Sequence, residues 1–161
     1  MKKSRFIIPF FFVVLLFLLG CNDDSVTKKA ITMDIQVIDT LGTELEVFAL
    51  SKDNLDADTL LRSAKIVQKT GDSIVLPATV LDLKFLLSTN ASWTLDKQKP
   101  WGSKASITWM SNPSPSFGGG NSTTFASVKA NTATSERRLY IYFATGDSSC
   151  VKKYVFLQKG K

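Results

Sequence analysis

The chain of 161 residues contains no histidine, two cysteines and only three glutamates. Without histidine it lacks the usual general base of enzymes and the commonest protein ligand of metal ions. Cys21 and Cys150 are too few for a disulfide framework, so an apolar core must hold the fold. The sequence has no P-loop, no Gly-x-Ser-x-Gly motif and no zinc-ligand spacing. These absences predict a protein that is not an enzyme and uses no cofactor and no metal.

The scarce carboxylates offer two candidate sites. Glu44 and Glu46 would share one face of a strand about 7 Å apart, a separation that a hydrolase with a carboxylate pair can use. A solvated strand face is the favoured interpretation. Asp53, Asp56 and Asp58 supply oxygen atoms for Ca²⁺, but their segment lacks the glycine and the closing glutamate of a calcium loop.

The first 20 residues hold the longest apolar run of the sequence. Lys2, Lys3 and Arg5 precede a run over residues 6–19 that is broken only by Pro9. This run is shorter than the roughly 20 apolar residues that a lasting transmembrane helix needs. A basic start followed by a short apolar core is typical of a secretory signal, which is removed after export.

The run ends in Leu-Leu-Gly-Cys at residues 18–21, which resembles the lipobox of bacterial lipoproteins. The resemblance implies a signal peptide over residues 1–20 and acyl chains, such as palmitate, on Cys21. Residues 21–29 are then a polar tether to the outer membrane. Asp23 and Asp24 resemble the export signal of Bacteroidetes lipoproteins, which implies cell-surface exposure. A periplasm-facing position is the alternative.

Charge is mild in total but uneven along the chain. The formal charge is +6, and three of the basic residues belong to the predicted signal. Residues 21–96 hold 12 acidic and 7 basic residues, whereas residues 97–161 hold 2 acidic and 10 basic ones. This balance is too small to predict a nucleic-acid partner. The basic half suits either a surface that meets acidic glycans or anionic lipids, or solvated strand faces, which are the favoured interpretation.

From residue 31 onward, apolar residues alternate with polar ones, which is the period of half-buried strands. The pattern predicts a hairpin over residues 31–37 and 45–49, a polar loop over 51–58 and a strand over 105–109. Two prolines and three consecutive glycines predict a loop or interaction tip over 111–121. Residues 59–69 suit either a helix or a strand. Eight or nine short strands with frequent turns predict an all-β fold, a single antiparallel β-sandwich over residues 30–161.

The second half of the chain carries motifs that resemble the BACON domain of Bacteroidetes proteins. In chain order they are residues 88–93, Trp109, residues 131–137 and residues 155–158. The resemblance implies an immunoglobulin-like sandwich whose BACON-like part covers about residues 81–161. The family is named for carbohydrate binding, so a polysaccharide ligand is implied as well. Residues 31–67 match no part of the family.

The motif residues themselves are expected to be structural. Trp93 and Trp109 lie on predicted alternating strands, where aromatic side chains usually fill the core. Arg137 is expected to hold a turn or a strand edge.

A separate loop offers candidate ligand-binding residues. Trp101 lies between a proline and a glycine, where its ring suits stacking on a sugar. Lys97 and Lys99 then provide hydrogen bonds to hydroxyl groups or to an acidic group, and Phe117 completes the platform. Packing within the loop is the alternative. The predicted partners are thus the membrane, through Cys21, and either a polysaccharide or a surface protein, with no nucleic acid.

Four Asp-Ser/Thr-apolar triplets resemble the O-glycosylation motif of Bacteroidetes proteins. Their hydroxyl residues are Ser25, Thr40, Thr59 and Ser73. All four fall in the tether or at predicted turns and strand starts, which tolerate a bulky sugar. An intact mass above that of polypeptide plus lipid would reveal such a modification.

Lipidation of Cys21 has a direct test. We expect the Cys21→Ser chain to leave the membrane fraction, because two or more acyl chains make attachment lasting and serine cannot form the thioether. Cell fractionation with immunoblotting measures this, with Cys150→Ser as the matched control that stays in the membrane. Equal membrane levels of the Cys21→Ser and wild-type chains would contradict the predicted anchor.

Overall fold

Nine strands, separated by turns and short helices, form the part of the chain that the structure describes. This computed structural model describes residues 29–42, 45–100 and 107–161, so the predicted signal peptide and residues 21–28 of the tether lie outside it. Residues 31–161 form one compact unit. The strands are β1 (Met33–Asp39), β2 (Glu46–Ala49), β3 (Gln68–Leu76), β4 (Leu81–Thr89), β5 (Ser92–Gln98), β6 (Phe117–Gly119), β7 (Ser122–Val128), β8 (Arg137–Thr145) and β9 (Cys150–Gln158).

The strands lie in two sheets, which confirms the all-β class. The small sheet has the order β1-β4-β7, and the large sheet has the order β2-β3-β9-β8-β5-β6. Among these strands every pairing is antiparallel except that of β3 with β9. The prediction of a purely antiparallel arrangement is therefore wrong at this pair. Parallel neighbours need a long connection, and here the chain between them runs through both sheets.

The predicted hairpin between the first two strands is also wrong. β1 pairs with β4 in the small sheet, where Ile35 lies opposite Leu87, whereas β2 pairs with β3 at the edge of the large sheet. After β1 the backbone N–H of Thr40 donates to the carbonyl of Asp82 at 3.0 Å, which extends the pairing with β4. Alternation of apolar and polar residues predicts a strand but not its partner. The pattern therefore does not show that the chain crosses from the small sheet to the large one between β1 and β2.

The core lies between the two sheets. Phe85 of β4 is at its centre, with ring centroids 5.6 Å from Phe143, 6.0 Å from Phe156 and 6.4 Å from Tyr154. The inward residues of β4 and β8 follow the predicted alternation and are almost completely buried. Trp93 and Trp109 are 1% and 3% exposed, so their predicted burial is confirmed.

The outward face of the large sheet is covered by a short helical layer. The predicted polar loop forms the helix α1 (Lys52–Ala57), whose first turn is capped by the Ser51 hydroxyl, and a 3-10 turn follows over Thr59–Leu61. Leu55 and Leu61 from this layer form a second apolar cluster with residues of β8 and β9. No helix in the described ranges is long and apolar enough to cross a bilayer.

Residues 59–69, which suited either a helix or a strand, form neither throughout. They form the 3-10 turn, a connecting loop and the start of β3, which begins at Gln68. A helix of six residues with a single buried apolar residue, Leu55, has no detectable periodicity, which is why the sequence predicts a loop there.

Two further predictions need correction around Trp109. Ile107–Trp109 is a 3-10 turn and not a strand, and residues 105 and 106 lie outside the described ranges. The predicted loop over residues 111–121 contains β6, which pairs with the start of β5. Gly118 of β6 lies against the indole of Trp93, where an added Cβ would approach the ring to 3.0 Å. Glycine therefore lets this strand close over the tryptophan.

Gln158, at the end of β9, joins three chain segments. Its fully buried amide donates to the carbonyls of Pro77, Thr79 and Lys129 at 3.0–3.3 Å and accepts a hydrogen bond from Arg137 at 2.8 Å. The Arg137 guanidinium also donates to two carbonyls after β7 and lies 4.7 Å from the centre of the Trp109 ring. The expectation that Arg137 holds a turn or a strand edge is thus confirmed.

Replacing Gln158 with leucine tests this junction. We expect Gln158→Leu to lower the free energy of unfolding by about 2–4 kcal/mol, because three carbonyls and a guanidinium lose a buried partner. Urea unfolding measures the change. The control, Gln36→Leu at an exposed position of β1, should shift stability by less than about 0.5 kcal/mol. Equal midpoints for the two variants would contradict a structural role for the Gln158 amide.

Candidate functional site

A groove opens on the outward face of the large sheet, between the helical layer, the end of β5 and the middle of β8. It has a volume of about 760 Å³. Sheet residues form its floor, and the end of α1 and the 3-10 turn form one wall. The lining residues are Asn54, Ala57, Asp58, Thr59, Leu60, Gln98, Lys99, Pro100, Tyr140, Tyr142 and Lys153.

A buried ion pair holds the helical wall against the floor. The Lys153 ammonium on β9 lies 2.5 Å from a carboxylate oxygen of Asp58, and the two side chains are only 9% and 8% exposed. The same oxygen accepts a hydrogen bond from the Tyr142 hydroxyl at 2.9 Å. The other oxygen accepts from the backbone N–H of Leu60 at 2.9 Å, so Asp58 also caps the 3-10 turn. Asp58 thereby joins the wall to two strands.

The protonation states of this cluster follow from burial and hydrogen bonding. Burial raises the pKa of the Asp58 carboxyl, but the hydrogen bonds from Lys153 and Tyr142 outweigh it and hold that pKa below its ordinary value. Burial, followed by the hydrogen bond to Asp58, raises the pKa of the Tyr142 phenol well above its ordinary value. At neutral pH the groove therefore contains a carboxylate at Asp58 and a protonated phenol at Tyr142.

Two tyrosine rings form the aromatic part of the floor. Tyr140 and Tyr142 are two residues apart on β8, so both side chains point outward, and their rings meet edge to face at 6.4 Å. The Lys153 ammonium lies 4.4 Å from the centre of the Tyr140 ring, within the range of a cation–π contact. Tyr140 is half-buried, so part of its ring faces the groove.

The opposite rim carries polar side chains from the end of β5. Gln98 donates to the carboxylate of Asp96 at 2.6 Å, which leaves its own carbonyl oxygen as an acceptor. Lys99 is exposed at the rim, beside Pro100. Asn54 and Thr59 add an amide and a hydroxyl on the helical side.

The structure places the predicted ligand-binding residues in different parts of the molecule. Lys99 lines the groove, but Lys97 points to the other face of β5 and donates to the carbonyls of Ile107 and Met110 at 3.3 and 2.7 Å. Burial lowers the pKa of its ammonium. The prediction that Lys97 binds a ligand is therefore corrected, because its ammonium binds the backbone carbonyls of Ile107 and Met110. Phe117 is 71% exposed on β6 and does not line the groove, and Trp101 lies outside the described residues.

The predicted glycosylation residues lie in different surroundings. Thr40 and Thr59 are exposed in a turn and at the start of the 3-10 turn, as the motif predicts. Ser73 is half-buried in the middle of β3, between β2 and β9, so its predicted position at a strand start is wrong. Residues 68–72, which begin β3, contain no apolar side chain, so the sequence pattern does not reveal that the strand starts before Ser73. Ser25 lies outside the described residues.

Three of the acidic candidates, Asp56, Asp58 and Glu46, form ion pairs with lysines. Asp56 forms an ion pair with Lys69 in addition to the pair of Asp58 with Lys153. Within the described ranges, no three acidic or cysteine side chains lie together in a group that could hold a metal ion. Glu46 is exposed and pairs with Lys159 at 3.3 Å, whereas Glu44 lies outside the described residues.

Comparison with known proteins yields a distant structural likeness. No protein-family model and no curated protein matches the chain. Among solved structures, the Bacteroides ovatus GH5 xyloglucanase, in complex with a XXXG heptasaccharide, aligns with 73% of this chain at 14% identity and a TM-score of 0.44. The chain spans only 19% of the length of that protein.

The ion pair predicts a specific dependence of stability on pH. We expect Asp58→Asn to lower the free energy of unfolding at pH 7 by about 2–3 kcal/mol, because Lys153 is left without a counter-charge in a partly open groove. The folded-state pKa of Asp58 is below the unfolded value of about 3.9, so its contribution is complete above that value and is lost as the pH falls through the folded-state pKa. The difference between variant and wild type should therefore narrow at acid pH.

Urea unfolding between neutral and acid pH measures both effects. Asp56→Asn is the matched control, because the side chains of its pair with Lys69 are 42% and 28% exposed, far more than those of Asp58 and Lys153, and the pair should matter less. A constant difference between Asp58→Asn and wild type at every pH would contradict the role assigned to the Asp58 carboxylate.

Proposed function

We propose that the protein is a lipid-anchored, non-catalytic binding module of the outer membrane, exposed at the cell surface, that holds carbohydrate in the groove. The lipobox-like end of the signal, with Cys21, supports the anchor, and the paired acids after it support the surface position. The single observation that carries the binding proposal is the pair of outward tyrosines beside amide, hydroxyl and ammonium groups.

The chemistry of a sugar suits this arrangement. One face of a pyranose carries C–H bonds that pack on the negative face of an aromatic ring, and Tyr140 offers such a face. The hydroxyl groups at the sugar's edge need donors and acceptors, which Asn54, Gln98 and Lys99 provide around the ring. A concave site with apolar surface and a few directed polar groups is the general form of a small-ligand pocket.

A binding role, as opposed to catalysis, is supported by the state of Asp58. Most glycoside hydrolases need two carboxyl groups that flank the scissile bond. Asp58 is the only carboxylate among the described lining residues, and its oxygens already accept hydrogen bonds from Lys153, Tyr142 and the Leu60 backbone. A carboxylate held in this way serves the structure and not proton transfer.

We also propose that the fold is an immunoglobulin-like sandwich of the BACON type. Several motif residues are in contact. The Asn131 amide donates to the carbonyls of Ser135 and Lys159. Arg137 donates to Gln158 and lies over the Trp109 ring. Three of the quoted motifs thus meet at one end of the sandwich. This supports the family assignment through packing.

The carbohydrate proposal is tested by Tyr140→Ala. We expect the variant to bind polysaccharide about 2- to 13-fold more weakly than wild type, since a stacking contact is worth about 0.5–1.5 kcal/mol. Affinity electrophoresis against a panel of plant and host polysaccharides measures this. Phe117→Ala, an exposed aromatic outside the groove, is the matched control and should bind as wild type.

Two outcomes would overturn parts of this proposal. Loss of binding in Phe117→Ala but not in Tyr140→Ala would move the site to the loop around β6. No binding by the wild type to any polysaccharide would reject the carbohydrate ligand altogether.

A second candidate function is an assembly lipoprotein that binds a protein partner through a sheet edge. β2 is exposed along its whole length at the edge of the large sheet, and Val47 and Phe48 are both more than half exposed there. Exposed strand edges are templates for pairing with another chain. Absence of glycan binding, together with a membrane protein that co-purifies with wild type but not with Phe48→Lys, would favour this function.

A further inference from the structure

We infer that the groove selects an acidic sugar, a uronate whose carboxylate is bound between Lys99 and Lys153. This rests on the proposed function, because it names the class of carbohydrate that the same groove takes. Three observations support it. The Lys153 ammonium has N–H donors that Asp58 does not use, the Asp58 carboxylate is already paired with that ammonium, and Lys99 adds a second ammonium at the rim.

Lys153 has hydrogen-bonding capacity that the described part of the protein does not use. Its ammonium has three N–H donors, and its one hydrogen bond to a described residue is to Asp58. The ammonium also lies 4.4 Å from the centre of the Tyr140 ring and 5.9 Å from that of Tyr142. The side chain is nine-tenths buried and lines the groove, so the donors that Asp58 leaves unused are available to a ligand bound there.

Asp58 does not repel an anion as a free carboxylate would. Its charge is compensated by Lys153, and its oxygens accept from the Tyr142 hydroxyl and the Leu60 backbone. Among the described lining residues, the charged groups are then Asp58, Lys153 and Lys99, which sum to one positive charge. Asp96 lies opposite Tyr142 on the neighbouring strand but outside the lining residues. The Gln98 amide donates to it without cancelling its charge, so the positive balance is that of the lining residues alone.

Lys99 supplies the second positive charge. It is exposed at the rim on the β5 side, whereas Lys153 lies in the floor on β9. A carboxylate in the groove between them accepts charge-assisted hydrogen bonds, which are roughly twice as strong as those between neutral groups. A neutral sugar makes the same stacking contact with Tyr140 but lacks this interaction. The groove therefore discriminates between sugars by charge.

Matched polysaccharides test the selection. Polygalacturonate, alginate and glucuronan are each compared with the neutral polymer made from it by reduction of the carboxyl groups, which keeps the linkages. We expect the full-length protein in detergent to bind at least one acidic polymer about tenfold or more tightly than its reduced counterpart. The advantage should shrink as the salt concentration rises, because rim charges are screened.

A charge-removing variant locates the effect. Lys99→Gln should lower the affinity for the acidic polymer severalfold more than it lowers the affinity for the reduced one. Lys129→Gln, at an exposed position outside the groove, should bind both polymers as wild type. Isothermal titration calorimetry measures all of these affinities.

The outcomes separate this inference from the proposed function. Equal binding of acidic and reduced polymers, or binding to neutral polysaccharides only, overturns the selection of uronates and leaves carbohydrate binding intact. An acidic preference that Lys129→Gln reduces as much as Lys99→Gln also overturns it, because the effect is then one of overall charge. No binding to any acidic, reduced or neutral polymer overturns both.

Discussion

The ion pair between Asp58 and Lys153 is the contact on which the outward face of the large sheet depends. Asp58 follows α1 and caps the 3-10 turn, and Lys153 projects from β9 in the middle of the sheet. Their contact, with the packing of Leu55 and Leu61, fixes the helical layer and with it one wall of the groove. A buried pair adds little net stability compared with apolar side chains, but losing one partner is costly. The shape of the groove therefore depends on one charged side chain of the helical layer, Asp58, and one of the sheet, Lys153.

Much of the strand pattern could be predicted from the sequence, because it depends on local alternation. Residues 81–87 and 137–144 show period-two patterns, and their inward side chains form the core around Phe85 as expected. Pairing could not be predicted, because the partner of a strand is chosen by contacts distant in sequence. The separation of β1 from β2 and the parallel contact of β3 with β9 are both of this kind.

The groove was harder to predict than the strands. Tyr140, Tyr142 and Lys153 occupy the outward positions of alternating strands, which resemble a solvated face in the sequence. A usable signal was present: β8 carries large side chains on both faces, and strands covered on both faces are typical of a sheet with layers on either side. Lys97, by contrast, follows Trp93 and Leu95 on the inward side of β5, and alternation alone places it away from solvent.

The position of β9 in the large sheet has a consequence for the order of assembly. β9 comes last among the described strands, yet it lies between β3 and β8. The β2–β3 pair and the β8-β5-β6 group therefore have no common neighbour until residues 150–158 are in place. Such long-range closure makes folding slow, since the loop entropy is lost before the contacts that compensate it form. During synthesis the large sheet therefore stays open until its last described strand has emerged from the ribosome.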